Sequence, residues 1–351
     1  MEKSRFIALA RKFNAVLFEE NGLLSGALPL VVAGHTVGLV RAELLPLVRA
    51  ASMFHVTEGA VTLDPALETP EARSAAMAEL LQRWRTQENL VALRGWRNEC
   101  YDVRASFSSA PLLKMERSAT CVFGIRQYGV DLNGYTHHPE RGFCVWIQRR
   151  SLEKPTWPGK LDNMVSGGLT SGLGLLEAVQ KEAWEEAGIP EHLLPGIRSA
   201  GAVSLSLRPL SCGSATTTRV SPCPARRPGG RTDAPLWPLC ARICYRSERG
   251  LFANTEFVYD LELPADFTPQ PQDGEVDEYR LMPVQELMEL VCSPEFKTTS
   301  APVTLDFLIR HGFITPNNEP RFLEICELLH VPLASAYSTG RLISGLQAIH
   351  G

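Results

Sequence analysis

The chain has 351 residues, of which 44% are hydrophobic, and this length allows two domains with packed cores. Its net charge of −4 argues against a protein that coats nucleic acid, and no apolar run reaches the length of a membrane span. Nine cysteines, an odd number at irregular spacing, fit reduced thiols better than a disulfide framework. We therefore expect a cytoplasmic protein without nucleic-acid or membrane partners, and leave an organelle address and the oligomeric state open.

The first 116 residues combine short helical and extended patterns and contain no catalytic motif. The clearest helix begins at Thr69, a capping residue, which is followed by Pro70 at the first helical position and Glu71 in the first turn. Residues 55–63 have the pattern of a small hairpin. These features predict a small α+β domain over residues 1–116.

After this domain the pattern changes to that of β-strands. Residues 121–125 and 128–135 predict one long extended segment, and residues 142–150 predict its antiparallel neighbour. We expect the second domain to cover residues 117–293 and a helical extension with a tail to cover residues 294–351.

A glycine-rich loop that runs into an acidic helix is the most informative stretch of the chain. The loop contains Gly167 and Gly168, and the helix stops at Gly188, which Pro190 follows closely. On a helical wheel one side is apolar and the other is acidic. The apolar side carries Leu176, Val179, Ala183 and Ala187, and the acidic side carries Glu182 and Glu185 with Glu186 at its border.

The three glutamates predict a metal site. Like charges three and four residues apart destabilise an isolated helix by ~0.2–0.5 kcal/mol per pair, and the helix dipole disfavours anions in the C-terminal half. A divalent cation reverses the sign of both effects, because carboxylate oxygens are ligands that Mg²⁺ and Mn²⁺ prefer. Backbone N–H groups of the glycine loop would contact the phosphates that such a cation bridges. For the glutamates alone, a solvated acidic face is the competing interpretation.

This stretch resembles the signature of the Nudix hydrolases, G-x5-E-x7-R-E-U-x-E-E-x-G-U, in which U is a bulky apolar residue. The chain matches it at Gly167, Glu182, Glu185, Glu186, Gly188 and Ile189. It departs from the signature at Leu173, where a glutamate is usual, and at Lys181 and Ala183, where an arginine and a bulkier aliphatic residue are usual. Glu177 falls beside Lys181 on the wheel, so we expect these two residues to replace the acid-base pair of the signature.

Residues 154–165, which lead into the loop, are similar to one branch of this family, found next to or fused with thiamine pyrophosphokinase. Members of that branch carry an extra N-terminal domain of the size seen here, and Leu173 and Glu177 look normal among them. The resemblance implies an α+β fold: a Nudix α/β/α sandwich with a mixed sheet, preceded by a small α+β N-terminal domain.

The chemistry that the resemblance implies is hydrolysis of a pyrophosphate bond in a small-molecule diphosphate, with Mg²⁺ or Mn²⁺ as cofactor. The branch points to an oxidised thiamine diphosphate analogue, or to a damaged nucleoside diphosphate such as 8-oxo-dGDP. The expected metal ligands are Glu182, Glu185 and Glu186, and these also head the catalytic set. Glu275 and Glu278 complete that set, because a carboxylate from a loop at this place often completes the site in Nudix folds. An acidic solvated turn is the alternative for either one.

Substrate recognition is expected from residues around the glycine loop. The candidates are Trp157, by stacking on a ring, Lys160, by a phosphate contact, and Asp162, Asn163, Gly167 and Gly168. Each of the side chains is as easily a packing or turn residue. The altered signature leaves one alternative function open, that of a non-catalytic Nudix-fold protein that binds a diphosphate.

Residues 205–242 are rich in Ser, Thr, Pro, Arg and Gly and show no periodicity, which predicts a disordered insert. A lineage-specific loop and an intron retained in the gene sequence both explain such a segment. The strand pattern resumes at residues 243–245 and 255–263, with a turn at Arg249 and Gly250. A strand at residues 279–282 and helices at residues 283–292, 303–311 and 320–330 follow.

Overall fold

The computed structural model describes residues 4–13, 26–200 and 240–330, with the exception of the side chains of residues 240–246. Residues 205–239 of the predicted insert lie outside the described residues, and so does the tail after residue 330. Disorder in that part of the insert stays a prediction. Its last three residues, 240–242, already belong to a strand.

The described residues form fourteen β-strands and eight α-helices. The strands are β1 (Leu28–Val32), β2 (His35–Val40), β3 (Phe54–Val56), β4 (Val61–Leu63), β5 (Cys100–Arg104), β6 (Pro111–Glu116), β7 (Arg126–His138), β8 (Gly142–Arg150), β9 (Leu161–Asn163), β10 (Val165–Gly168), β11 (Arg198–Ser199), β12 (Cys240–Ser247), β13 (Gly250–Glu262) and β14 (Val276–Pro283). The helices are α1 (Arg5–Phe13), α2 (Leu45–Ala50), α3 (Pro70–Gln87), α4 (Val91–Arg94), α5 (Leu175–Ala187), α6 (Val284–Leu290), α7 (Ala301–Arg310) and α8 (Phe322–Leu329).

The N-terminal domain packs α3 against a four-stranded sheet of order β2-β1-β4-β3. Thr69 caps α3 as predicted, because its hydroxyl accepts a hydrogen bond from the Ala72 N–H at 3.1 Å, and Pro70 occupies the first turn. The predicted hairpin is formed by β3 and β4. Strands β5 and β6 pair separately as a two-stranded ribbon.

The segment 121–125, predicted as an extended strand, is instead a run of turns. Its residues are buried in the N-terminal core, where Phe123 stacks on Trp84 with ring centroids 5.7 Å apart. The prediction was wrong because a short apolar run indicates burial without fixing the backbone conformation. We propose that the first domain extends to residue 125, since β7 begins only at Arg126.

The second domain is built on an eight-stranded sheet whose main path runs β11-β13-β7-β8-β14. Strands β7 and β13 are parallel, from Arg126 opposite Ala253 to Tyr135 opposite Glu262. Strand β8 is antiparallel to β7, as predicted. The expected mixed sheet is therefore confirmed.

Helices cover both faces of this sheet. Val145 and Ile147 of β8 pack in one core with α1, α6, α7 and α8, whereas Trp146 between them packs in the other core with α5. Helix α1 thus packs through Phe6 and Ile7 on the second domain, although it lies in the N-terminal part of the sequence. The α/β/α sandwich is confirmed. None of the described helices is both long and apolar enough to cross a bilayer.

The two domains meet where the turn between β12 and β13 reaches the N-terminal core. The Leu251 N–H donates a hydrogen bond to the Cys121 carbonyl at 2.8 Å. Gly250 lies so close to this carbonyl that a Cβ atom at position 250 would overlap with it. A backbone carbonyl cannot swing aside as a long side chain can, so this approach requires glycine.

We predict that Gly250→Ala lowers the free energy of unfolding by about 1–3 kcal/mol, because the added methyl group forces a backbone shift at the domain junction. Denaturant unfolding followed by circular dichroism measures the change. The matched control is Gly59→Ala, since Gly59 lies in an exposed turn where a Cβ atom would have no neighbour within 4 Å. Equal stability of the two variants would contradict this account of the junction.

Candidate active site

Three glycines, Gly129, Gly167 and Gly168, form a cluster that lines a cleft on the second domain. Gly129 of β7 pairs with Gly168 of β10, and Gly167 precedes it. At each glycine, another side chain occupies the space that a Cβ atom would fill. These side chains are Glu256 at Gly129, Glu182 at Gly167 and Tyr101 at Gly168. A larger residue at any of the three positions would displace a cleft residue.

Helix α5 presents the glutamates to this cleft. It begins after Gly174 and ends at Gly188, whose left-handed φ of 61° is favourable for glycine. Its buried residues are Ala178, Val179, Ala183, Glu186 and Ala187. Leu176, predicted to face the core, is 53% exposed, because the helix is rotated so that the smaller Ala178 packs against the sheet.

The predicted pair of Glu177 and Lys181 does not form. The Glu177 carboxylate accepts a hydrogen bond from the Gly174 N–H at 3.3 Å and so caps the N-terminus of α5, where a negative charge is favourable. Lys181 Nζ lies 2.5 Å from Glu185 Oε2 and 3.6 Å from Glu182 Oε1. Unsatisfied backbone donors at the helix start compete well with an exposed ion pair, which contributes only ~0–1 kcal/mol.

Glu182 and Glu185 line the cleft, as the sequence predicts. Burial is the main cause of the raised pKa of Glu182. Lys181 works against this shift in pKa, and the neighbouring charge of Glu185 adds to it. The negative charge of these carboxylates is therefore only partly compensated within the protein.

Glu186, the third expected metal ligand, is buried and does not line the cleft. Its Oε2 atom accepts hydrogen bonds from the Ser166 N–H at 2.9 Å and from the Gln148 amide at 3.2 Å. Burial raises the pKa of Glu186 to about 8, although the bond from Ser166 opposes the shift. Glu186 thus connects α5 to β8 and to β10, the strand that carries the glycines.

Asp162 and Asn163, predicted to bind substrate, are instead buried, and neither lines the cleft. The Asp162 carboxylate accepts hydrogen bonds from Arg150 at 3.0 Å and from Lys297 at 2.8 Å. Burial alone would raise the pKa of Asp162, but Lys297 and Arg150 outweigh burial and lower it to about 2. The Asn163 side chain accepts a hydrogen bond from the Thr304 hydroxyl at 2.7 Å.

The two other side chains predicted to recognise the substrate lie in different places. Trp157 lines the cleft, whereas Lys160 does not and donates a hydrogen bond to the Pro294 carbonyl at 2.8 Å. Several cations that the sequence analysis did not select line the cleft instead, among them Arg150, Lys154 and Lys297.

The acidic loop before β14 contributes one cleft residue and one surface residue. Glu275 lines the cleft and forms an ion pair with Lys154, whose pKa burial lowers to about 8. Glu278 does not line the cleft, because it pairs with Arg149 at 3.0 Å and with Arg280 on the surface.

Glu256 is a cleft carboxylate that the sequence analysis missed. Its side chain lies against Gly129, and its Oε1 atom accepts a hydrogen bond from the Asn254 amide at 3.3 Å. Glu256 forms no ion pair with any residue that the structure describes. Burial, reinforced by the nearby Asp131, raises the pKa of Glu256 to about 8. The sequence signal that could have identified Glu256 was a charged residue inside the predicted strand 255–263.

The N-terminal domain contacts the glycine loop directly. The Thr170 hydroxyl donates to Glu99 at 2.6 Å, and the Ser171 hydroxyl donates to Asp102 at 2.6 Å. The Ser171 N–H also donates to the Cys100 carbonyl at 2.9 Å. The side-chain partners are 71 and 69 positions apart in sequence, so no local pattern marks them.

Together these elements enclose a cavity of about 500 Å³, a typical size for a small-molecule site. Its lining is strongly charged. The acidic lining residues are Glu99, Glu182, Glu185, Glu256, Asp273 and Glu275, and the basic ones are Arg97, Arg117, Arg150, Lys154, Lys181, Arg249 and Lys297. Such a site suits an anionic ligand together with a cation.

The donor set fits a hard divalent cation. No three His, Cys, Asp or Glu side chains among the described residues converge as a ready metal group. However, the pKa values of Glu182 and Glu256 are raised mainly by burial, and a divalent cation beside these carboxylates would lower them. Glu182 and Glu185 are the residues that would hold it, and Lys181 pairs with both.

Comparison with known proteins agrees with this architecture. The family described as NUDIX domain matches residues 135–206, and the domain of unknown function DUF4743 matches residues 5–127. The uncharacterized protein YJR142W of Saccharomyces cerevisiae is 32% identical over 279 residues, which cover 79% of this chain and 73% of that protein. Nudix hydrolase 24, chloroplastic, of Arabidopsis thaliana is 33% identical over 302 residues, which cover 85% of this chain and 71% of that protein.

A solved structure, the NUDIX domain of Shewanella oneidensis NrtR complexed with ADP ribose, aligns with a TM-score of 0.34 and 13% identity. The alignment covers 55% of this chain and 91% of that chain. The family assignment depends on the Arabidopsis relative, whose similarity extends over most of both proteins. The chain therefore belongs to the Nudix hydrolase family and is a pyrophosphohydrolase in which a DUF4743 domain precedes the Nudix domain.

Proposed function

We propose that this enzyme hydrolyses the pyrophosphate bond of an organic diphosphate with Mg²⁺ or Mn²⁺ as cofactor. Two substrates fit the proposal: an oxidised thiamine diphosphate analogue and a damaged nucleoside diphosphate such as 8-oxo-dGDP. The resemblance to the branch associated with thiamine pyrophosphokinase supports both. The observation that carries the proposal is the packing of Glu182 against Gly167, which places a carboxylate of α5 directly on the glycine loop of a highly charged cavity.

A divalent cation, when bound, neutralises charge on the phosphate oxygens and lowers the pKa of a bound water. Glu182 and Glu185 would hold this cation. Glu186 holds the Ser166 N–H and so keeps the glycine strand in place against α5. Lys297, which Asp162 orients, lines the cavity and is assigned a contact with the phosphates of the substrate.

We assign the role of proton acceptor to Glu256. It lines the cavity beside the glycine cluster, and no cation among the described residues forms an ion pair with it. Glu275 is a weaker candidate, because Lys154 already neutralises it. Glu278 is not proposed for this role, because it lies outside the cavity.

We assign recognition of the organic half of the substrate to the aromatic residues that line the cavity. Trp157, Tyr128 and Phe252 all line it, and a flat heterocycle can stack on such rings. Both proposed substrates carry such a heterocycle, so the aromatic residues support the class without selecting between them.

We predict that Glu182→Gln and Glu185→Gln each reduce turnover by about 100-fold or more with little change in stability, because each removes a charge from the proposed cation site and keeps the side-chain size. Phosphate release is measured over a panel of organic diphosphates with Mg²⁺ or Mn²⁺. Glu177→Gln, the same change at the capping residue of α5, should retain nearly full turnover. Wild-type rates in both site variants would contradict the site, and binding of the panel without hydrolysis by the wild type would support the non-catalytic alternative.

A second prediction separates the proton acceptor from its neighbours. Glu256→Gln should lower kcat by about 100-fold, because the amide cannot take a proton from water. Glu278→Gln is the control and should leave kcat unchanged, since Glu278 pairs with surface arginines outside the cavity. An unchanged kcat in Glu256→Gln would exclude this role for Glu256.

A third prediction concerns the glycine loop. Gly167→Ala should lower activity by about 10-fold or more, because the new methyl group would displace the Glu182 side chain. Gly174→Ala is the matched control in the same loop, since a Cβ atom there would have no neighbour within 4 Å. Steady-state kinetics of the two purified variants provides the comparison, and similar activities would mean that the position of Glu182 does not depend on Gly167.

A further inference from the structure

Three arginines line one part of the cavity, at the junction of the two domains. Arg97 precedes β5, Arg117 follows β6, and Arg249 lies in the turn between β12 and β13. The Arg249 guanidinium packs against Gly95, where a Cβ atom would lie 3.1 Å from its Nη2 atom. The N-terminal domain and the Nudix domain thus each supply part of one cationic cluster.

Within the described part of the chain, Arg117 is the one arginine of the three that has a carboxylate partner. Arg117 pairs with Glu99 at 2.8 Å and lies over the Tyr101 ring at 5.3 Å. The guanidinium groups of Arg97 and Arg249 form no hydrogen bond or ion pair with any residue in the described ranges. Burial lowers the pKa of Arg97, and repulsion from Arg117 and Arg249 lowers it further.

The charge balance of the cluster points to a dianion. The carboxylates of Glu99, Glu182 and Glu256 all act on Arg117, whereas no carboxylate of the described residues is bonded to the guanidinium groups of Arg97 and Arg249 at the wall of the cavity. Partly buried cations that repel each other are costly unless an anion pairs with them. A guanidinium donates parallel hydrogen bonds to phosphate oxygens, so two of them suit a terminal phosphate, which is dianionic near neutral pH.

We propose that Arg97 and Arg249 bind the terminal phosphate of the substrate, so that the N-terminal domain selects diphosphates that end in a free phosphate. This inference rests on the proposed function, because it specifies which diphosphates the same cavity accepts. A diphosphate that is esterified at both ends has lost the second charge of its terminal group. Its extra substituent would also have to pass the wall that Gly95 and Arg249 form.

The test measures binding of inorganic phosphate to the full chain without metal, by isothermal titration calorimetry in the presence of a chelator. Arg97→Gln and Arg249→Gln should each weaken phosphate binding by about 10-fold or more. Arg94→Gln is the matched control and should bind as the wild type does, because Arg94 is an exposed arginine outside the cavity that contacts Asn89. Thermal unfolding of each variant confirms that it is folded.

The titration is independent of catalysis, so it keeps this inference separate from the proposed function. Glu182→Gln should lose turnover but still bind phosphate. Loss of phosphate binding in the arginine variants supports the site even if no diphosphate of the panel is hydrolysed. Unchanged binding in folded Arg97→Gln and Arg249→Gln, or no phosphate binding by the wild type, would overturn it.

A kinetic measurement tests the selection itself. With Mg²⁺ present, the wild type should hydrolyse ADP-ribose, which is esterified at both ends, more slowly than 8-oxo-dGDP. Arg97→Gln should raise the KM for 8-oxo-dGDP by about 10-fold and should not change the rate with ADP-ribose. Equal losses with the two substrates would show that Arg97 does not recognise the terminal phosphate. Faster hydrolysis of ADP-ribose than of 8-oxo-dGDP by the wild type would contradict the proposed selection of diphosphates with a free terminal phosphate.

Discussion

Close packing of side chains onto bare glycine backbone is the constraint on which the site depends. Glu182 from α5, Glu256 from β13 and Tyr101 from β5 each occupy the space of a missing Cβ atom in the glycine cluster. Three elements that are distant in sequence therefore converge on two adjacent strands. The N-terminal domain takes part in this packing through Tyr101, so the position of this domain and the geometry of helix α5 are coupled.

Charges in the cavity differ in how completely the protein compensates them. Asp162 is fully buried, yet its pKa is low because Arg150 and Lys297 both donate hydrogen bonds to it. Glu256 has a raised pKa and no ion-pair partner among the described residues. Compensated groups of this kind serve the architecture, whereas uncompensated ones are costly without a ligand. The difference between compensated and uncompensated charges therefore indicates which groups are available to a cation or a phosphate.

Much of the fold could be predicted because its signals are local. The cap at Thr69, the strand alternation in β8 and the helix stop at Gly188 each depend on residues within one or two turns of each other. The prediction failed at 121–125, where burial in the N-terminal core decided the backbone conformation. It also failed at Leu176, because the wheel gives the period of a helix but not its rotation against a sheet.

The site was predicted best where its residues are contiguous in sequence, although Glu275, from a distant loop, also lines the cavity as predicted. Glu182 and Glu185 follow from one helix and its loop, and both line the cavity. Glu256 and Arg97 come from other strands and another domain, and only the folded chain brings them to the same cavity. Glu278 was selected wrongly: it lies near Glu275 in sequence, but its side chain is outside the cavity.

The DUF4743 domain is therefore best understood as part of the wall of the cavity rather than as an independent module. Glu99 and Asp102, just before and within β5, hold the glycine loop through Thr170 and Ser171, and the core of the domain meets the backbone at Gly250. Helix α1, at the other end of the first domain, packs among the C-terminal helices. A chain with these three attachments cannot move one domain without disturbing the other. The fold of the preceding domain therefore helps to fix the position of the glycine loop.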